Sequence, residues 1–113
     1  MFPPSVRILV CTEQQDMRKS FDTLAAVARD VMGEVPASGN ALFVFLGKSP
    51  TRLKLLWFDR NGYCLLAKRL HRAVFSLPKL EDARGAALKI DAAALAELLG
   101  GIARENSRSR RLQ

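Results

Sequence analysis

The sequence predicts an α+β domain: a small antiparallel β-meander sheet with an N-terminal strand, two helices packed on it, and a flexible basic C-terminal tail. Three observations point there. Leu42–Leu70 holds three apolar runs separated by two tight-turn signals, Gly47-Lys48-Ser49-Pro50 and Asp59-Arg60-Asn61-Gly62. On either side of that region lies a stretch with helically spaced apolar residues and a capping residue at its start. The last ten residues carry four arginines and two serines and have little to bury. Residues 1–103 are therefore expected to form one domain, and 104–113 a tail disordered in isolation.

The elements follow in order. Ser5–Thr12 reads as a strand in which Val6, Ile8 and Val10 alternate with Arg7, Leu9 and Cys11. The second set is too apolar for a solvent face, so the strand should be largely covered. Thr12-x-x-Gln15 has the capping-box pattern, and Asp16 is a second candidate N-cap. A helix is expected from about Met17 to Met32, with Met17, Phe21, Leu24, Ala28 and Val31 on one apolar stripe. Arg18 and Asp22 form an i,i+4 pair on its other side. Gly33 is a natural stop, and Pro36–Asn40 a loop.

The meander is next. Leu42–Leu46, Arg52–Phe58 and Tyr63–Leu70 are its three strands. Asn61-Gly62 between apolar runs is a strong hairpin signal, because such a turn needs a positive φ that glycine adopts without strain. Val74–Leu77 reads as a short fourth strand ended by Pro78. Lys79–Ala87 is polar and irregular, and Leu88–Ile90 a brief edge strand. Asp91 caps a helix over Ala92–Leu99, with Leu95, Leu98, Leu99 and Ile102 on one face. Ile90 and Leu95 stand at the two positions of a hydrophobic staple. Gly100-Gly101 weakens or ends this helix.

Composition narrows the function classes. The chain has 113 residues, enough for a real core without staples. Eighteen Lys and Arg against eleven Asp and Glu give +7, a balance suited to polyanionic partners or simply to solubility. Cys11 and Cys64 lie in apolar runs and read as free buried thiols. Two cysteines and one histidine are too few for a zinc site. The start of the chain lacks the charged and apolar regions of a secretory signal, and no apolar run approaches the roughly 20 residues of a membrane span. A cytoplasmic protein with no membrane partner is expected.

The cations cluster on the meander. Arg52 and Lys54 share a strand face. A two-residue turn at Asn61-Gly62 would set Arg69 opposite Lys54 and His71 opposite Arg52. A type I turn with Gly62 as a bulge would set Lys68 opposite Lys54. In both registers a cation faces a cation, which is destabilising. Such an arrangement fits an anion-binding surface, or a solvated edge that discourages aggregation. Lys48, Arg60 and Arg72 could extend it. Arg18 and Lys19 are placed at a helix start, where backbone N–H groups also attract anions. Trp57, Phe58 and Tyr63 could stack on a base, though such aromatics more often belong to a core.

Catalysis finds little support. His71 is a lone histidine beside Arg69 and Arg72. Asp16 and Asp59 would make a metal pair only if the fold joined them; as a cap and a turn former they have simpler roles. Gly47-Lys48-Ser49 resembles the end of a P-loop, but Leu42 stands where its first glycine belongs, and Pro50 disturbs the helix that should follow. No catalytic residue, metal or cofactor is expected.

Asp16-Met17-Arg18-Lys19-Ser20-Phe21-Asp22-x-Leu24 resembles the signature of the accessory protein TnpB, the second open reading frame product of insertion-sequence-66 bacterial transposons. The resemblance continues through Leu42–Phe45, Lys54, Leu56-Trp57, Asp59-x-x-Gly62-Tyr63, Lys68-Arg69-Leu70, Phe75 and Pro78. It covers about residues 5–78. The chain departs from the family at His71, usually acidic, Ala73, usually glycine, and Leu77, usually tryptophan. The resemblance implies a protein encoded beside a separate, larger transposase and needed for, or helping, transposition, without implying a known catalytic activity; a non-enzymatic accessory factor is expected. Transposon-end DNA and the transposase are the implied partners. Arg18, Lys19, Lys48, Arg52, Lys54, Lys68, Arg69 and Arg72 are then the candidate nucleic-acid contacts, and Asp16, Phe21, Trp57, Asp59, Gly62 and Pro78 the motif positions. A protein adaptor that docks on the transposase or on a second copy of itself, through the Trp57–Tyr63 hairpin or the Leu95–Ile102 face, is the alternative. A nuclease using Asp16 and Asp59 is the remote one.

Overall fold

The computed structural model describes residues 6–76 and 79–103. The expected tail, Leu77 and Pro78 lie outside them. In chain order come β1 (Arg7–Cys11), α1 (Phe21–Asp30), β2 (Ala41–Leu46), β3 (Arg52–Asp59) and β4 (Gly62–Arg69). They are followed by β5 (Ala73–Val74), β6 (Ala87–Ile90), α2 (Ala92–Gly100) and β7 (Ile102–Ala103). The α+β class is as the sequence predicts, and the meander strands stand where their apolar runs put them. The main sheet is larger and mixed: five strands in the order β4-β3-β2-β1-β6. β1 lies parallel to β2, with α1 as the crossover between them, and antiparallel to β6.

The helices lie on opposite faces of this sheet, not together on one. Leu24, Ala25, Val27 and Ala28 of α1 pack with Leu9, Cys11, Phe43, Phe45 and Leu56. Leu98 of α2 joins Ile8, Val10, Leu42, Val44, Leu53 and Leu55 on the other side. Coverage on both faces explains why β1 and β2 read as nearly continuous apolar runs. All six residues of β2 are buried. Five fully enclosed large side chains, Phe43, Phe45, Leu42, Leu53 and Leu56, come from β2 and β3 alone.

Helix α1 begins four residues later than its expected start at Met17. Its N-cap is Ser20, in a capping box with Thr23, and neither Thr12 nor Asp16 caps it. The apolar stripe rotates accordingly. Leu24, Ala25, Val27, Ala28 and Met32 are buried, whereas Phe21 and Val31 are exposed. Gly33, at φ +74°, ends the turn beyond the helix as expected. Asp91 caps α2 through a 2.8 Å bond from the Ala94 N–H. The expected fourth strand is only β5, and it pairs outside the main sheet, with β7. Gly101, at φ +70°, makes the bend that carries the chain from α2 into β7.

Both anticipated hairpin registers are replaced by a third. Asp59 pairs with Gly62, so the two-residue loop is Arg60-Asn61. The positive φ falls on Arg60, at +57°, and Gly62 opens β4. This register sets Phe58 against Tyr63, Trp57 against Cys64 and Leu56 against Leu65. The Phe58 and Tyr63 rings meet edge-on at 5.1 Å. The expected two-residue turn would have set Asp59 against Cys64 and Arg60 against Tyr63. Matching apolar residues across the ladder decides the register.

Candidate nucleic-acid interface

The register determines which cations meet. Arg52 faces Arg69 directly, Lys54 faces Ala67, and Lys68 faces Leu53. Directly opposed residues share a face. Arg52, Lys54 and Arg69 therefore lie on the α1 side, and Lys68 on the α2 side. There the Lys68 ammonium donates to the Leu99 carbonyl at the end of α2, 2.7 Å away. The like-charge confrontation foreseen from the sequence exists, but between Arg52 and Arg69.

The segment between β1 and α1 builds the opposite wall. It is not a helix start. Gln15 bridges in parallel to Gly47, beyond the end of β2, with its N–H bonded to the Leu46 carbonyl at 2.9 Å. Met17 then lies over Gly47 so closely that a Cβ there would stand 2.6 Å from the Met17 Cγ. A larger residue there would displace the Met17 side chain from its place over the strand end. Asp16 accepts the Arg18 backbone N–H at 2.9 Å and the Arg18 guanidinium at 2.6–3.0 Å. That guanidinium holds the Asp16 carboxyl well below the usual carboxylate range, and Asp16 raises Arg18 in turn. The Arg18 side chain stays 90% exposed, so the pair positions it without enclosing it. Arg18 does not pair with Asp22.

Two further lysines brace this wall. The Lys54 ammonium donates to the Lys19 carbonyl at 2.6 Å, and the Lys19 ammonium to the Gln15 side-chain oxygen at 2.8 Å. Gln15 is the buried polar residue among those described; it also donates to the Glu13 carbonyl at 3.1 Å and toward the Cys11 sulfur. Burial pushes the Cys11 thiol up.

Between the wall and the β2–β3 turn lies an open groove of about 570 Å³. Arg18, Lys48, Arg52 and Arg69 line it together with Asp16, Met17, Ser49 and Thr51. The Ser49 and Thr51 hydroxyls are 2.9 Å apart in the turn. A smaller recess of about 200 Å³, which Met17, Arg52 and Arg69 also line, continues toward Lys54 and Ala67. Four cations against one carboxylate, with two hydroxyls beside them, form a surface suited to phosphate oxygens.

Of the eight cations singled out in the sequence, four line the groove, Lys19 and Lys54 support it, and Lys68 turns to the other face. Arg72 lies exposed in the bend before β5 and does not line the groove. Among the motif positions, Asp16 positions Arg18, Phe21 opens α1 in an exposed position, Asp59 and Gly62 close the hairpin, and Trp57 packs on the α2-side core. Gln15, Met17, Ser49 and Thr51 were not legible as site residues. Asp16 and Asp59 lie toward opposite ends of β3, whose seven residue steps span about 23 Å. They do not form a metal pair. Among the described residues no group of three His, Cys, Asp or Glu is placed to hold a metal ion, and no helix is long and apolar enough to cross a membrane.

A family model described as "IS66 Orf2 like protein" matches residues 6–109. The chain belongs to the IS66 Orf2-like family. It is 43% identical over 98 residues to "Uncharacterized protein y4hO" of Sinorhizobium fredii (strain NBRC 101917 / NGR234), covering 87% of this chain and 82% of that one. It is 32% identical over 84 residues to "Uncharacterized protein y4jC" of the same strain, covering 73% and 71%. No solved structure matches the chain. Membership of the IS66 Orf2-like family supports an accessory role in transposition.

Proposed function

We propose that the chain fills this accessory role by gripping the DNA backbone, free or already bound by the transposase, in the groove lined by Arg18, Lys48, Arg52 and Arg69. The observation that carries the reading is the confrontation of Arg52 with Arg69 across the ladder at the mouth of that groove. Two opposed arginines cost stability in the free protein, and an anion between them removes the cost. Backbone contacts position a protein on DNA without reading sequence, so the grip is expected to be general and salt-dependent. The tail, with its four arginines, adds charge to the same end of the function by composition alone. No catalytic step is assigned.

The adaptor alternative finds less support in the two surfaces considered for it. Leu98 is buried and Leu95 and Leu99 pack partly buried against the same core, which leaves Ile102 as the exposed apolar residue of that face, and Trp57 and Tyr63 lie on opposite sheet faces. Filter binding of transposon-end and random duplexes across a salt series tests the DNA reading. Binding to both that weakens steeply with salt is expected, with affinity reduced and the salt slope lowered by about 1.8 when Arg52 and Arg69 are both changed to Gln. Absence of binding at low salt would overturn it.

A further inference from the structure

Strand β4 closes one side of the five-stranded sheet, and among the described residues nothing pairs with its outer edge. The edge is eight residues long. Asp59–Gly62 closes a two-residue hairpin, and the closing pair of such a hairpin is hydrogen-bonded. Gly62, Cys64, Leu66 and Lys68 therefore turn their N–H and C=O groups toward β3. The Leu70 N–H, bonded to the Thr51 carbonyl at 2.8 Å, continues that phase. Tyr63, Leu65, Ala67 and Arg69 turn theirs outward. Exposed edges are ordinarily blunted by charge, proline or a bulge. Gly62–Ala67 has none of these. Its Leu66 is 43% exposed.

We propose that this edge is a dimer interface, in which β4 pairs antiparallel with β4 of a second copy about a two-fold axis at Leu65, giving a continuous ten-stranded sheet. The order of residues along β4 selects this occupant and this register. With Leu65 opposite itself, the outward-turned Tyr63, Leu65 and Ala67 meet Ala67, Leu65 and Tyr63 of the second copy. Leu66 comes to lie against Cys64, and Lys68 against Gly62. Each pair from Tyr63 to Ala67 is uncharged, and the exposed leucine gains a cross-strand neighbour. The Lys68-Arg69 ends of the two copies go to opposite ends of the interface. Parallel pairing would instead stack Lys68 on Lys68 and Arg69 on Arg69. Centring the axis on Leu66 or Ala67 would set Arg69 against Tyr63 or Leu65.

The test uses the full chain without DNA, so its outcome is independent of the groove. Sedimentation velocity over a concentration series is expected to show a monomer–dimer equilibrium. Ala67→Pro removes one outward N–H and leaves the ladder to β3 intact; it is expected to be monomeric with unchanged circular dichroism. Leu66→Cys places a thiol opposite Cys64 of the second copy in a non-hydrogen-bonded pair, with Cα atoms about 4.5 Å apart and within disulfide reach. Within one chain the same two positions are about 6.6 Å apart along the strand with their Cβ atoms pointing the same way, well beyond the roughly 4 Å between Cβ atoms that a disulfide needs, and do not bridge. Mild oxidation should therefore give a reducible covalent dimer with Leu66→Cys and none with the wild type. A wild type that stays monomeric at every concentration would overturn the proposal. So would a dimer that survives Ala67→Pro while Leu66→Cys fails to cross-link. If Ala67→Pro misfolds, the cross-link decides.

Discussion

Changing Arg69 to Gln is expected to stabilise the protein while weakening its hold on DNA. Arg69 stands directly opposite Arg52, and both are exposed. Like charges so placed cost within about 0.2–1 kcal/mol, and exposure argues for the middle of that range, about 0.5 kcal/mol. For a domain of this size that is a rise in Tm of about 2 °C. The gain should fade near 1 M salt, where the screening length falls to about 3 Å. Binding should move the other way. Each phosphate contact adds about 0.9 to the slope of log affinity against log salt. Four groove cations then imply a loss of about 150-fold between 0.05 and 0.2 M salt, and three a loss of about 40-fold. Thermal unfolding at two salt concentrations and a filter-binding salt series read both quantities on one preparation. A lower Tm, or an unchanged slope, would refute the account of this pair.

Lys54 should behave in the opposite sense. Lys54→Met removes its bond to the Lys19 carbonyl and is expected to cost about 1 kcal/mol in urea unfolding, with the salt slope unchanged, because Lys54 supports the wall instead of touching DNA. Asp16→Asn should raise affinity at low salt by removing the carboxylate from the groove. Because Arg18 depresses the Asp16 carboxyl in the folded state, its stabilisation is complete above about pH 4 and is lost as the pH falls further. The Asn variant should lose that part of the acid limb when Tm is followed below pH 4. Gly101→Ala should cost about 1–3 kcal/mol, since φ is +70° there and a Cβ would lie 2.7 Å from Leu70 Cδ1 and 3.0 Å from the Val74 carbonyl. Chemical denaturation measures it.

What could be read in advance depended on how local the determining physics was. The Leu42–Leu46 and Arg52–Phe58 strands announce themselves by apolar runs bounded by turns, and the Asp91 cap by a single carboxylate ahead of an alanine-rich helix. The start of α1 did not, because Thr12-x-x-Gln15, Asp16 and Ser20 all offer capping chemistry within nine residues. The pairing of Gln15 with Gly47 settles the choice, and it is thirty-two positions distant in sequence. The parallel pairing of β1 with β2 was likewise invisible, since both strands are apolar on both faces. For the site, residue type identified the cations, while sorting them required the register. Arg52 and Arg69 stayed together, whereas Lys68 fell on the other face. Met17 could have been suspected from Gly47, a glycine ending a buried strand where a longer side chain must pass close by.

The loop Arg60-Asn61 lies at the far end of β3 and β4 from the groove, yet the number of residues in it is part of the groove. Side chains alternate faces, so one codon inserted between Asp59 and Gly62, if the loop kept its two residues, would carry Lys68 round beside Arg52 and send Arg69 to the α2 side. Leu65 and Leu66 would exchange sides with them. Nothing would have been deleted and no charge altered, but the anion surface and the packing along β4 would both be scrambled. Point substitutions at the tip leave that count untouched. Between Asp59 and Gly62, the chain is buffered against spelling errors and exposed to errors of length.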